Sequence, residues 1–123
     1  MKCYIMDDQY WKILYEGLST KYKTWDFPIK DNIRNPLEYV DNIKNNDLIL
    51  LDNFFPWETW EEPLWAEFLH QLLTKDIKCK IICISDYWKT LLDRYSEREI
   101  AFNNWNVIWF APDKTVTSIE KCL

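Results

Sequence analysis

Residues 48–56 read LILLDNFFP, and this stretch decides the fold class. Its first four residues are too few for a helix. Because they do not alternate with polar residues, they predict a strand that is buried on both faces. Similar runs occupy residues 3–6, 81–84 and 107–110. Segments with helical spacing separate the runs, as the crossovers of a parallel sheet require, so the chain is predicted to be an α/β domain.

The helical segments and a weak fifth strand complete the predicted topology. The first helix is expected to begin near Asp8, because a carboxylate suits a helix N-terminus, and to end at about Lys21. A short strand is expected over residues 24–27, before Pro28. Further helices are expected over residues 36–44, three turns from residue 63, residues 87–95 and residues 117–123. Because right-handed crossovers leave few alternatives, we expect a five-stranded parallel sheet in the order 2-1-3-4-5 with helices on both faces.

The composition indicates one domain over residues 1–123 and excludes several classes of function. The chain has one Gly and five Pro, too few for a linker-like or low-complexity protein. Its net charge of −5 does not provide the basic surface that nucleic acids require. No run is apolar enough for a membrane span or a secretory signal, so the expected location is the cytoplasm. The four Cys lack zinc-site spacing, and three of them lie inside or beside apolar runs, where thiols are expected to behave as small hydrophobic residues.

Carboxylates follow the predicted strands at the points where the chain would leave the sheet. Asp7 and Asp8 follow the first run, Asp52 follows the second, and Ser85 and Asp86 follow the third. Ligands of parallel α/β sheets bind beyond the carboxyl ends of the strands, so these residues are candidates for one site. Each Asp taken alone is more often a cap or turn residue. Three clustered carboxylates repel each other, and an oxygen-liganded divalent cation relieves that repulsion, so Mg²⁺ is the expected cofactor.

This pattern resembles the receiver domain of two-component response regulators over nearly the whole chain. Asp7 and Asp8 match the acidic pair of that family, and residues 50–56 are similar to its phosphoacceptor motif, including the proline four residues after the aspartate. The resemblance implies that Asp52 is the phosphoacceptor, and that the acidic pair, Asp52 and the backbone carbonyl of Phe54 hold Mg²⁺. It also implies that the hydroxyl of Ser85 contacts the phosphoryl group.

The sequence departs from the family pattern beside the proposed pocket. Ala111, followed by Pro112, stands where the family has a lysine at the end of the fifth strand. Lys114 lies three residues further on. One alternative is that it turns back into the pocket, but the favoured interpretation is a solvated loop residue, because lysine is ordinarily found at the surface. Asp86 adds a negative charge where the family usually has a small residue. These departures leave the phosphorylation of Asp52 open.

Three functions are compatible with these residues. The leading interpretation is a receiver-like signalling domain that binds Mg²⁺, can accept a phosphoryl group on Asp52 and does not turn over a substrate. Its expected partner in a phosphorelay is a histidine kinase, a phosphotransfer protein or another signalling protein. The alternative is a phosphorylation-independent pseudo-receiver that serves as a docking module, which Ala111 and Asp86 favour. The third is a small Mg²⁺-dependent phosphatase or nuclease, against which no D-x-D pair follows a predicted strand. The sequence favours no particular oligomeric state.

Overall fold

The sheet is parallel, and each of its strands coincides with one of the apolar runs. The computed structural model describes residues 1–52, 64–84 and 108–123. Within these ranges the strands pair side by side in chain order. They are β1 (Cys3–Met6), β2 (Leu48–Leu51), β3 (Lys80–Cys83) and β4 (Ile108–Phe110). The α/β class and the parallel sheet predicted from the sequence are therefore confirmed.

The strands are apolar because both faces of the sheet are covered. Every residue of β1 and β2 is buried, which explains why neither strand shows polar alternation. The register aligns Met6 with Leu51 and Leu51 with Cys83. Because these strands end level with one another, the residues that follow them emerge at one edge of the sheet.

The predicted weak strand over residues 24–27 is represented by a single parallel bridge. Asp26 pairs with Lys2, and its carbonyl accepts a 2.8 Å hydrogen bond from the backbone N–H of Cys3. This contact lies on the edge of β1 that β2 leaves open. Pro28 has no N–H with which to extend a ladder. The described residues form four strands and this bridge, while the fifth strand and the order 2-1-3-4-5 stay predictions.

The described helices pack in two pairs. They are α1 (Trp11–Lys21), a 3₁₀ helix (Pro36–Asn42), α2 (Leu64–Thr74) and α3 (Val116–Glu120). Helix α1 contacts β1 and α3, and the 3₁₀ helix contacts α2. The segment expected as a helix over residues 36–44 is thus a shorter 3₁₀ helix, since the backbone is already extended at Ile43. In the described part of the chain, no helix has the length and hydropathy needed to cross a membrane.

The cysteines belong to the packed interior. Cys3, Cys79, Cys83 and Cys122 are all buried. Burial raises the pKa of Cys3 and of Cys79 to about 12, so both remain uncharged at neutral pH. A protonated buried thiol is a poor nucleophile and a poor metal ligand. The expectation that these residues act as small hydrophobic side chains is confirmed.

Candidate functional site

Three carboxylates meet at the carboxyl edge of the sheet. Asp7 directly follows β1 and Asp52 directly follows β2, and the backbone N–H of Asp52 donates a 2.9 Å hydrogen bond to the carbonyl of Met6. One carboxylate oxygen from each of Asp7, Asp8 and Asp52 lies within 4.8 Å of the others. Asp7 and Asp52 are 0% and 2% exposed, and Asp8 is half-buried. The structure therefore brings together the three carboxylates that the sequence placed in one site.

The first carboxylate is held by the turn that follows it. Oδ1 of Asp7 accepts hydrogen bonds from the backbone N–H groups of Gln9 at 2.8 Å and Tyr10 at 2.9 Å. The expected start of the first helix near Asp8 was wrong, because this turn delays α1 until Trp11. The N–H of Trp11 donates to Oδ1 of Asn32 at 3.1 Å, so a residue distant in sequence satisfies the first turn of the helix.

Lys114 supplies a positive charge inside the cluster. Its Nζ lies 2.7 Å from Oδ2 of Asp7 and 3.3 Å from Oδ1 of Asp52. The ring of Tyr10 lies on another side of the ammonium, with 4.8 Å between Nζ and the ring centroid. Oδ2 of Asp7 is buried and accepts no hydrogen bond from the described residues, so the ion pair offsets its burial. The expectation of a solvated loop lysine was wrong.

Position 111, where the resembling family has a lysine and this chain has an alanine, is buried. Ala111 is fully buried, and its backbone N–H donates a 2.9 Å hydrogen bond to the carbonyl of Cys83. The loop that starts there brings Lys114 back to the sheet edge, where two buried carboxylates attract its ammonium. The signal that could have identified Lys114 is its place within reach of the end of the last strand. Sequence reasoning gave more weight to the usual exposure of lysine.

The electrostatic environment favours the protonated form of Asp52. Burial raises the pKa of Asp52 to about 7, the negative charge of Asp7 adds to that increase, and Lys114 opposes it. For Lys114, burial acts to lower the pKa, but its contacts with Asp7 and Asp52 outweigh that effect and the pKa is raised. Lys114 therefore stays charged. With all groups ionised, three carboxylates and one ammonium leave two negative charges uncompensated.

This donor set fits a hard divalent cation. Magnesium prefers carboxylate oxygens and uses few protein ligands, and its charge equals the excess negative charge of the cluster. Asp7, Asp8 and Asp52 are the side chains that would hold it. The other predicted groups of the site, the carbonyl of Phe54 and the hydroxyl of Ser85, lie outside the described residues, as does Asp86.

Comparison with solved structures links this architecture to one fold. A response regulator from Colwellia psychrerythraea superimposes with a TM-score of 0.67 at 20% identity, covering 98% of this chain and 90% of that one. The receiver domain of Francisella response regulator 1452 gives a TM-score of 0.55 at 18% identity, covering 98% of this chain and 92% of that one. No family model and no curated protein matches the sequence. The chain has the fold of a response-regulator receiver domain, as its resemblance implied.

Proposed function

We propose that this chain is a receiver-type signalling domain in which Asp52 accepts a phosphoryl group while Mg²⁺ is bound at the acidic cluster. The observation that carries the proposal is the placement of the Lys114 ammonium against Asp7 and Asp52. Phosphoryl transfer depends on a positioned nucleophile and on positive charge around the transferring group. Asp52 is the candidate nucleophile, and Lys114 provides the cation that Ala111 lacks. We also infer the complete 2-1-3-4-5 strand order, which the bridge at Asp26 supports.

The proposed reaction is an in-line displacement at phosphorus. A carboxylate oxygen of Asp52 forms a bond to phosphorus as the bond to the donor's leaving atom breaks, and the leaving atom keeps that electron pair. Lys114 favours the ionised carboxylate before transfer, because its charge acts to lower the pKa of Asp52. After transfer it is within reach of a phosphoryl oxygen. A bound divalent cation would add positive charge beside the other oxygens.

Two further groups are assigned by the resemblance. We expect the Ser85 hydroxyl to donate a hydrogen bond to the phosphoryl group and the carbonyl of Phe54 to complete the Mg²⁺ ligands. The phosphodonor would be a histidine kinase or a phosphotransfer protein, and the output would be a contact with another signalling protein. The domain would then be a phosphoacceptor rather than a turnover enzyme. Its four buried cysteines, which lack the spacing of a zinc site, suit a reducing compartment such as the cytoplasm.

The position of Lys114 also bears on the pseudo-receiver alternative. That alternative depended on Ala111 and Asp86. The missing lysine at position 111 no longer favours it, because Lys114 brings a cation to the carboxylates instead. The phosphatase or nuclease alternative would use the same cluster of Asp7, Asp8 and Asp52, so the metal ligands do not separate it from a receiver. The argument against it stays the lack of a D-x-D pair after a predicted strand.

The test is treatment with acetyl phosphate and Mg²⁺, followed by intact-mass measurement. The native chain should gain one phosphoryl group, Asp52→Asn should gain none, and Lys114→Ala should be labelled much more slowly. Loss of one oriented charge at a phosphoryl site commonly costs about two to three orders of magnitude in rate. Lys75→Ala is the matched control, since it removes a lysine paired with exposed Asp41.

Relocation of the lysine gives a sharper test of its role. The double variant Ala111→Lys with Lys114→Ala returns the cation to the position where the resembling family has it. We expect the double variant to regain labelling that Lys114→Ala loses. A native chain that binds Mg²⁺ but remains unlabelled would support the docking-module alternative. Continuous hydrolysis of a generic phosphate ester would instead favour the phosphatase.

A further inference from the structure

The loop that carries Lys114 is fixed at both of its ends. The Lys114 loop, residues 111–115, joins β4 to α3. Its first residue is tied to the sheet by the hydrogen bond from the N–H of Ala111 to Cys83. At the other end, the hydroxyl of Thr115 accepts a 3.2 Å hydrogen bond from the N–H of Ser118 and caps α3. Lys114 directly precedes this capping residue, so the position of Lys114 depends on where α3 lies.

Asp113, another residue of the loop, holds the capping residue Thr115 by hydrogen bonds. Oδ1 of Asp113 accepts hydrogen bonds from both the N–H of Thr115, at 3.1 Å, and its hydroxyl, at 2.6 Å. Lys114 therefore lies between Asp113 and Thr115, which are hydrogen-bonded to each other. A displacement of α3 would move this unit as a whole, and the ammonium with it.

Helix α3 is too short to be stable without packing. It has five residues, and isolated helices of that length do not persist in water. Its buried residue Ile119 belongs to the core, and Glu120 pairs with Lys21 of α1 at 2.6 Å. The hydroxyl of Tyr22 donates a 3.1 Å hydrogen bond to the same carboxylate. The packing against α1 thus determines where α3 lies.

The contact between the two helices depends on a glycine. Gly17 is the only glycine of the chain and lies inside α1, where glycine costs about 1 kcal/mol relative to alanine. A Cβ at this position would lie 2.6 Å from Cγ2 of Val116, the first residue of α3. No ordinary carbon contact is that short, so a side chain here would require either another χ1 rotamer of Val116 or a shift of the start of α3 away from α1. Because a β-branched side chain is stiff at χ1, we expect the helix to shift.

We propose that Gly17 is a positioning residue for Lys114. By leaving room for Val116, it lets α3 approach α1 closely enough for the Lys114 loop to place its ammonium between Asp7 and Asp52. The importance of this placement for phosphoryl transfer rests on the proposed function. The placement itself is a property of packing and can be tested separately.

The experiment measures where the Lys114 amine is, without using activity. The folded protein is treated briefly with an amine-acetylating reagent, and the acetylation rate of each lysine is read by peptide mass spectrometry. In the native chain, Lys114 should react more slowly than exposed Lys30. In Gly17→Ala, Lys114 should react about fivefold faster, as expected when the paired state loses about 1 kcal/mol relative to the released state. Lys30 should react at its native rate.

A second substitution separates positioning from general stability. Val116→Ala removes the atom that a Cβ at position 17 would strike, so Gly17→Ala with Val116→Ala should restore protection of Lys114. Ile13→Ala on the exposed side of α1 is the matched control and should leave the protection unchanged. Unchanged protection in Gly17→Ala, or no rescue in the double variant, would overturn the proposal. A native chain with protected Lys114 that is never phosphorylated would instead overturn the proposed function alone.

Discussion

Nζ of Lys114 lies 2.7 Å from Oδ2 of Asp7, a contact that joins the two ends of the chain at the carboxyl edge of the sheet. Asp7 follows the first strand, and Lys114 follows the last strand of the described sheet. The contact supplies a counter-charge to a fully buried carboxylate. It also brings a cation to within 3.3 Å of Oδ1 of Asp52.

Removing Lys114 should destabilise the metal-free protein. In Lys114→Ala, two buried carboxylates lose their positive partner, and breaking a buried ion pair is costly. We expect a loss of about 1–3 kcal/mol in the free energy of unfolding, less than for a fully buried pair because the lysine side chain is 24% exposed. Urea denaturation in EDTA measures this loss.

The control for that experiment is Lys75→Ala. Lys75 pairs with Asp41, but the two side chains are 42% and 88% exposed. Exposed pairs contribute little, so the free energy of unfolding should change much less than in Lys114→Ala. Equal effects of the two substitutions would mean that the buried pair makes no special contribution.

Stability should fall with rising pH because of Asp52. The pKa of Asp52 is about 7 in the folded protein and near 3.9 in an unfolded chain, so between these values the folded state binds more protons. Its contribution to the free energy of unfolding is therefore largest below about pH 4, declines up to about pH 7 and then stays level. The decline should amount to about 2–4 kcal/mol.

Asp52→Asn should remove this contribution. The variant cannot ionise at position 52, so its stability advantage over the native chain should grow between about pH 4 and pH 7. Denaturation curves collected in EDTA across this range provide the comparison. A difference between the two proteins that is constant with pH would show that the folded-state pKa is not raised.

Replacing Asp8 by Asn should raise the melting temperature without metal and weaken the stabilisation by Mg²⁺. Without metal, Asp8→Asn should raise the melting temperature, because it removes one of three mutually repelling carboxylates. With millimolar Mg²⁺, the native chain should gain stability through binding to the folded state, and the variant should gain much less. Thermal melts with EDTA and with Mg²⁺ test both parts. A lower melting temperature in EDTA would indicate a structural role for Asp8.

Asn32 should stabilise the first turn of α1. Its Oδ1 accepts from the N–H of Trp11, so Asn32→Ala leaves the first turn of α1 without this partner. We expect a loss of about 1 kcal/mol in the free energy of unfolding, the usual cost of losing a cap. Lys30→Ala, an exposed change two residues away, is the control. Equal stability of the two variants would show that the bond contributes nothing.

The local pattern of apolar residues in the sequence was enough to predict the parallel sheet and the three carboxylates at its edge. Four-residue apolar runs without alternation predict buried parallel strands, because only a sheet covered on both faces excludes polar residues from both. The residues that follow such strands meet at one edge. For that reason Asp7, Asp8 and Asp52 could be assigned to one site before their distances were known.

Long-range packing decided the rest of the site. Lys114 reaches the carboxylates because its loop is fixed to β3 at one end and to α3 at the other, and no local rule encodes that reach. The start of α1 depends on Asn32, which is distant in sequence but adjacent in space. Sequence by itself determined which carboxylates gather at the sheet edge, because an apolar run and the residue that directly follows it are local properties of the chain. Only the tertiary structure decided which cation pairs with them, because Lys114 is placed by contacts between residues that are distant in sequence.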